Sequence, residues 1–217
     1  MRERPILFNG EMVRAILDGR KTQTRISMEP QPRGDIVDFS TRHYTLTKSG
    51  ARCRGYDSGY VCVPVLCPYG VPGDGLWVRE TWQWCPVCGN TEWRADANEH
   101  GTFCRHCDGN LGKWKPSIHM FRQDSRIDLK VTGMRVERVQ EISALDAMWE
   151  GIAIAHNPIN RMTIEALGNA SSTGLAAIDD FALLWDSINA KRGYSWESNP
   201  WVWVLEFEAI QGAADPT

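Results

Sequence analysis

Trp201-Val-Trp-Val-Leu-Glu-Phe207 is a strongly apolar stretch near the C-terminal end of the 217-residue chain. Aromatic and β-branched side chains at this density predict a buried strand. Segments 75–82 and 125–139 predict further strands, the second with a break at Gly133. We therefore expect the 201–207 strand at the centre of a sheet that these segments complete.

Short helices are predicted around these strands. Asn9 is suited to cap a helix over 10–18, which Val13, Ile16 and Leu17 would pack against the core. This first helix places the segment that follows it against the sheet.

Two further helices are predicted in the second half of the chain. Ser143 opens one that ends at Gly151, and apolar residues over 181–188 mark another that Gly193 stops. Strands and helices do not alternate as βαβ units. We therefore predict an α+β fold, a small mixed β-barrel with flanking short helices, and not a doubly wound sheet.

Two C-x2-C pairs, at 85–88 and 104–107, are separated by fifteen residues. Zinc prefers soft ligands in a tetrahedron, and each pair supplies two thiolates. The pattern predicts a structural zinc ribbon over 84–114 with no coordination position left for a catalytic water. Its predicted ligands are Cys85, Cys88, Cys104 and Cys107.

Composition and charge are those of a globular protein, with 42% hydrophobic and 24% charged residues. No apolar run approaches the roughly 18 residues of a membrane span, and the first residues do not resemble an export signal. We expect a cytoplasmic protein, a monomer without membrane contact, with residues 211–217 as a disordered tail. Residues 1–84 carry a net +3 and 131–217 a net −7. This asymmetry favours one anion-facing side, as nucleic-acid binding requires.

The segment Gly19-Arg20-Lys21-Thr22-Gln23-Thr24-Arg25 follows the first predicted helix and begins a strand. It resembles the signature of the ASCH domain, a PUA-like β-barrel family with the approximate motif G-x-K-x-x-E-x-R. Segments 72–82, 114–120, 142–152 and 199–207 resemble the longer members found in bacteriophages and prophages. The resemblance implies an ASCH/PUA-like barrel over 1–210, with the zinc ribbon at 84–114 as an insertion.

Two positions depart from the motif. Thr24 stands where the motif has Glu, a variation similar to that of the N4-acetylcytidine amidohydrolases of the family. Ile26 stands where the motif has Arg, and Arg25 comes one place early. Because side chains alternate across a strand, we expect Arg25 to face away from that position. The role of the motif arginine would then pass to Arg79 or Arg126.

The resemblance to the amidohydrolases implies three catalytic residues. Lys21 corresponds to the base, Thr24 to the nucleophile, and Glu150 is the best match for the acid. A threonine hydroxyl needs a base to become a nucleophile, and a desolvated lysine can serve. Glu150 ends a predicted helix, where the dipole disfavours negative charge. The implied reaction is amide hydrolysis of N4-acylated cytidine.

A further set of residues is expected to bind the substrate: Arg25, Arg79, Glu80, Trp82, Ser117 and Arg126. Trp82 and Trp84 are candidates for stacking on a base. The alternative function is a non-catalytic module that binds RNA or a nucleotide, since PUA-like barrels commonly read RNA. A metal-dependent ribonuclease is a third interpretation, for which the sequence supplies no convincing set of acidic ligands.

Overall fold

A computed structural model of the chain describes residues 2–32, 36–39, 43–48, 61–96, 103–107, 109–152 and 172–210. The predicted tail over 211–217 lies outside these residues. The strands are β1 (Glu3–Leu7), β2 (Gln23–Ser27), β3 (Ile36–Phe39), β4 (His43–Lys48), β5 (Val61–Leu66), β6 (Gly75–Arg79), β7 (Trp82–Trp84), β8 (Thr91–Trp93), β9 (Asp128–Arg138) and β10 (Trp201–Ala209). The helices are α1 (Gly10–Leu17), α2 (Ala144–Trp149) and α3 (Ser172–Asn189).

The main sheet has the order β1-β6-β9-β10-β2. Strands β1 and β6 are parallel, and the other neighbours are antiparallel. Strand β10 lies between β9 and β2, so the 201–207 stretch is an interior strand as predicted. The fold is α+β, but the predicted closed barrel is not observed. Among the described residues, β1 and β2 do not pair, because both edge strands line a cavity that also receives side chains from α1 and α3.

The core occupies both faces of this sheet, and β10 contributes to each. Trp203 and Leu205 join the cluster that includes Val13 of α1. Val202 and Val204 point to the opposite face and join the cluster of α2 and α3. Alternating side chains of β10 are therefore buried on both sides, which explains its nearly continuous apolar sequence.

The helix boundaries follow the predicted caps. Asn9 Oδ1 accepts a hydrogen bond from the Met12 backbone N–H at 2.8 Å, and Ser143 Oγ accepts one from that of Asp146 at 3.1 Å. Both interactions satisfy backbone donors that the helix leaves free. The packing of Leu17 was predicted wrongly, since this side chain is 51% exposed. Among the described residues, no helix is long and apolar enough to cross a membrane.

The predicted break at Gly133 is a register shift within one continuous strand. Strand β9 runs unbroken past Gly133, and its pairing with β10 shifts between Glu206 and Phe207. A Cβ at position 133 would lie 2.3 Å from Glu206 Oε2. Glycine thus leaves room for the Glu206 side chain at this point, and the strand absorbs the irregularity as a bulge.

Two smaller sheets complete the described structure. Strands β3, β4 and β5 form an antiparallel sheet, and β7 pairs with β8. Strand β7 also bridges to Lys115, so the chain between β6 and β9 leaves the main sheet and returns beside β7. The two cysteine pairs lie on this excursion.

Candidate active site and metal centre

Lys21 and Glu150 form a buried ion pair between two distant segments of the chain. Lys21 Nζ donates to Glu150 Oε2 at 2.7 Å, to the Glu150 carbonyl at 2.9 Å and to the Gln23 carbonyl at 2.8 Å. The two side chains are 0% and 3% exposed. A backbone hydrogen bond from Thr22 to the Trp149 carbonyl joins the same segments. The start of β2 and the end of α2 are thus held together at this pair.

Arg25 contacts the same carboxylate from the other side. Its Nη1 donates to Glu150 Oε1 at 3.2 Å and its Nε to Glu137 Oε1 at 2.8 Å, while Nη2 lies 3.2 Å from Asp146 Oδ2. Ile26 packs against the opposite core cluster, so the two neighbours face opposite sides as alternation predicts. The contact of an arginine with Glu150 is therefore made by Arg25 itself, and not by Arg79 or Arg126.

Burial changes the proton affinity of the lysine in this pair. Desolvation lowers the pKa of Lys21, the charge and hydrogen bond of Glu150 oppose this effect, and the charge of Arg25 lowers the pKa further. The balance lies below the ordinary lysine value. Lys21 is therefore closer to its neutral amine form than an exposed lysine.

A cavity of about 480 Å³ lies between the edge strands and α3. Thr24, Arg25 and Glu150 line it. Thr24 is 5% exposed, and its hydroxyl makes no hydrogen bond with the described residues. Apolar side chains form much of the remaining wall: Ile6, Phe8, Met12, Phe181, Leu184 and Trp185. The cavity thus presents the Thr24 hydroxyl and the Glu150 carboxylate beside the guanidinium groups of Arg25, Arg79 and Arg192. Lys21 does not line it and is connected to it through Glu150.

A larger cavity of about 700 Å³ lies beside α2. Gln23 and Trp149 line it, but neither Thr24 nor Glu150 does. We assign the candidate site to the smaller cavity because it contains the groups that can do chemistry.

Only one of the residues named for substrate binding outside β2 lines this cavity. Arg79 lies at its wall, donates through Nη1 to the Ile118 carbonyl at 3.3 Å, and has a buried Nε without a partner. Glu80 is buried and pairs with Arg126 at 2.9 Å, not with Arg79. Burial raises the pKa of Glu80, and Arg126 opposes that effect. Arg126 also binds Asp96, so it belongs to a separate cluster.

Trp82 and Ser117 also lie away from the cavity walls. Trp82 is only 1% exposed, because neighbouring rings and Lys115 cover it. It is therefore not available to stack on a base. Ser117 begins a short 3-10 turn, Ser117–His119, beside the ribbon. The sequence could not show this, because the path of the chain after β6 depends on contacts with the inserted segment.

The cysteine pairs meet as a candidate metal centre. The ligand atoms of all four cysteines lie within 4.8 Å of one another. Cys85 Sγ and Cys107 Sγ are 3.4 Å apart, and Cys88 Sγ and Cys104 Sγ are 3.6 Å apart. Four sulfurs at these separations suit a single tetrahedral ion with metal–sulfur bonds of about 2.3 Å.

The surroundings of the sulfurs favour thiolate ligands. The Val87 backbone N–H points at Cys85 Sγ at 3.4 Å, and that of His106 at Cys104 Sγ at 3.3 Å. The backbone N–H of Cys88 lowers the pKa of Cys85 to about 6, whereas burial raises that of Cys104 to about 12. A bound cation would compensate the burial of Cys104 by replacing its proton.

A carboxylate and a glycine lie directly beside the four cysteines of the metal centre. Glu92 Oε1 lies 3.3 Å from Cys104 Sγ and accepts the Arg105 backbone N–H at 3.1 Å, which fixes the second pair against β8. A Cβ on Gly109 would lie 2.8 Å from Val87 and 3.2 Å from Cys85 Sγ. Neither residue was predicted from the sequence. Their contacts bridge segments that only the folded ribbon brings together.

Comparisons with protein families, curated proteins and solved structures found no match to the chain.

Gly151 is expected to be indispensable for the placement of Glu150. It has φ +91°, and an added Cβ would lie 2.8 Å from Ala15 Cβ and 3.1 Å from Lys21 Cβ. Gly151→Ala should therefore destabilise the protein more than Gly193→Ala, which has a similar φ of +87° but no atom within 4 Å. We expect the difference to exceed about 1 kcal/mol in urea unfolding. Equal losses would show that the close approach at Gly151 relaxes without cost.

The buried ion pair is expected to contribute strongly to stability. Lys21→Met leaves the Glu150 carboxylate buried with only Arg25, and such a loss costs about 3 kcal/mol. The double variant Lys21→Met/Glu150→Gln should recover part of this loss, because no unpaired carboxylate remains. The control is Lys130→Met, since Lys130 and Glu208 form an exposed pair at 3.3 Å and should contribute under about 1 kcal/mol. Equal effects in urea unfolding would contradict the prediction.

Proposed function

We propose that the chain is an ASCH-type hydrolase that removes the acyl group from N4-acylated cytidine. One observation carries the proposal: Thr24 and Glu150 line the same cavity, and Glu150 is hydrogen-bonded to Lys21. Two sequence segments about 130 residues apart thus supply the three groups that the resemblance implies. The proposal includes a PUA-like architecture. The observed strand pairing supports an open mixed sheet as part of it.

The 2.7 Å contact between Lys21 and Glu150 links the base and the acid through one proton. In the resting pair Lys21 is an ammonium and Glu150 a carboxylate. Transfer of the shared proton makes Lys21 a neutral amine and Glu150 a carboxylic acid. Desolvation, which lowers the pKa of Lys21, favours release of this proton from the ammonium. One transfer therefore prepares both the general base and the general acid.

Acyl transfer follows with a closed proton balance. Thr24 Oγ attacks the acyl carbonyl carbon, and its proton passes to the Lys21 amine. The bond from that carbon to N4 of cytidine then breaks, and the Glu150 carboxyl gives its proton to N4. Cytidine leaves with a free amino group, Thr24 carries the acyl group as an ester, and the ammonium–carboxylate pair is restored.

Water completes the cycle at the Thr24 ester. A water molecule adds to the ester carbonyl while the pair accepts its proton, and the acid product leaves as Thr24 Oγ regains a proton. The described lining residues offer two hydroxyl groups, those of Thr24 and Tyr69. The proposal assigns both half-reactions to Thr24, because it is the residue that the resemblance implies.

The cavity suits a nucleoside in size and chemistry. Its volume of about 480 Å³ lies in the range of small-molecule sites, about 300–1,000 Å³. Phe8, Phe181 and Trp185 contribute apolar wall to the cavity. The guanidinium of Arg79, at the cavity wall, is a donor that can bind a carbonyl oxygen of the substrate. This assigns Arg79 a positioning role at the cavity wall.

A second candidate is a module that binds a nucleotide or RNA without catalysis. It is favoured by the hydrogen bonding of Lys21, whose three N–H donors are all used within the protein. An ammonium held in this way is an effective structural group. This candidate predicts that the affinity for the nucleoside requires the Lys21–Glu150 pair but not the Thr24 hydroxyl.

The metal belongs to the proposal as a structural zinc ion. Four thiolates would fill its tetrahedron, which leaves no position for a substrate or a catalytic water. The ion would hold the ribbon together and take no part in the hydrolysis.

Incubation of the purified protein with N4-acetylcytidine and longer N4-acyl cytidines tests the hydrolase proposal. Chromatography should show release of cytidine and the corresponding acid in equal amounts. Binding of these nucleosides without any release would instead support the binding module.

A further inference from the structure

Trp84 and Phe121 form an exposed pair of aromatic rings on the ribbon side of the molecule. Their ring centroids are 6.5 Å apart and their planes are inclined by 19°. The side chains are 39% and 58% exposed. The buried Trp82 contacts both rings edge-on, at centroid distances of 5.2 and 6.1 Å. Trp82 therefore supports both exposed rings from the interior of the molecule.

A hydrogen bond fixes the orientation of Trp84. Its Nε1 donates to Asp124 Oδ1 at 2.9 Å, and the same oxygen accepts from Thr91 Oγ1 at 3.1 Å. The indole is thus held before any ligand arrives. Stacking of a base on this indole therefore costs less side-chain entropy than stacking on a freely rotating tryptophan.

Two lysines, Lys113 and Lys115, lie on the same side of the molecule as these rings. Lys115 Nζ lies 4.8 Å from the Trp82 ring centroid and 4.6 Å from that of Trp84. Lys113 is exposed, and its carbonyl accepts a hydrogen bond from Gln83 Nε2 at 2.8 Å, next to Trp84. Neither lysine forms an ion pair with a described acidic residue. Of the described acidic side chains between 80 and 127, none is exposed.

We propose that Trp84, Phe121, Lys113 and Lys115, here named the ribbon face, bind single-stranded nucleic acid. Bases stack on the two rings, and the ammonium groups contact phosphates. A single strand is required because the bases of a duplex are already stacked on one another and cannot offer their faces. Binding at this face does not depend on hydrolysis in the cavity.

Fluorescence anisotropy with the full chain tests this proposal. The probes are a labelled twelve-nucleotide oligouridylate, an oligothymidylate of the same length and a twelve-base-pair duplex. We expect the single strands to bind at least ten-fold more tightly than the duplex. Phe121→Ala should weaken single-strand binding about ten-fold or more, since it removes one stacking surface. Lys115→Gln should weaken it and reduce the slope of log affinity against log salt by about one.

Phe103→Ala is the matched control, because Phe103 is 59% exposed but has no ring contact with a described aromatic residue. Its affinity for the strands should equal that of the unsubstituted protein. The proposal is overturned if neither single strand binds, if the duplex binds as tightly, or if Phe121→Ala and Phe103→Ala behave alike. The rate at which Phe121→Ala hydrolyses free N4-acetylcytidine should be unchanged. This measurement tests the proposed enzyme independently of nucleic-acid binding at the ribbon face.

Discussion

Thr24→Ala is expected to reduce the hydrolysis of N4-acetylcytidine by at least about 10⁴-fold. The hydroxyl is the only nucleophile of the proposed mechanism, and residues of a nucleophile–base pair act as a unit. For the same reason, adding Lys21→Ala to Thr24→Ala should lower the remaining rate hardly further. Release of cytidine, followed by chromatography under single-turnover conditions, is the measurement.

Two variants control for effects other than loss of the nucleophile. Thr22→Ala removes an exposed threonine two residues away whose contacts are made by its backbone, so its rate should be unchanged. Thr24→Ser keeps a hydroxyl and should retain measurable turnover. If Thr24→Ala hydrolyses the substrate as fast as Thr22→Ala, the proposed nucleophile is wrong. If no variant hydrolyses it but binding of the nucleoside survives Thr24→Ala, the binding module is correct.

Removal of the metal is expected to unfold the ribbon and leave the main sheet folded. The buried cluster that includes Cys85 and Cys104 is small, with Leu111 as its other fully buried member and Trp114 packed against it. Binding of a structural zinc contributes about 10 kcal/mol or more in comparable peptides, so the ion supplies most of the folding energy of such a segment. Metal analysis should find about one zinc per chain, and none in Cys104→Ser.

Hydrogen exchange measures the expected separation. In Cys104→Ser, amides of the ribbon should lose protection, while those of β9 and β10 should keep theirs. Cys67→Ser is the control, because Cys67 is buried in the main core and lies outside the metal centre. It should retain the zinc. A protein without metal, or a disulfide between the two cysteine pairs, would contradict the prediction, as would loss of protection in the whole sheet.

For several site residues, the contacts expected from the sequence differ from those observed in the structure. Arg25 was expected to face away from the motif position, which it does, but its contact with Glu150 was not foreseen. That contact depends on the end of α2 packing against β2, an event far away in sequence. Glu80 was expected to bind the substrate, yet it pairs with Arg126 across 46 residues. Neighbouring positions on a strand face opposite sides, so Glu80 does not share the cavity that Arg79 lines.

The sequence alone determined the elements whose signals are local. The caps at Asn9 and Ser143 predicted helix starts because they act within three residues, and the apolar 201–207 stretch predicted an interior strand because burial on both faces requires it. The paired cysteines likewise predicted a metal centre, because two ligands per turn are set by the chain itself.

Only the tertiary structure decided how these elements meet. The sheet remains open because side chains of α1 and α3 enter the space between its edge strands, and no local pattern encodes that arrangement. The same packing brings Glu150 to Lys21 and leaves the Thr24 hydroxyl free in the cavity. Ion pairs and cavities form where segments that are distant in sequence pack together. Their geometry therefore follows from the packing of the whole domain and not from any local pattern.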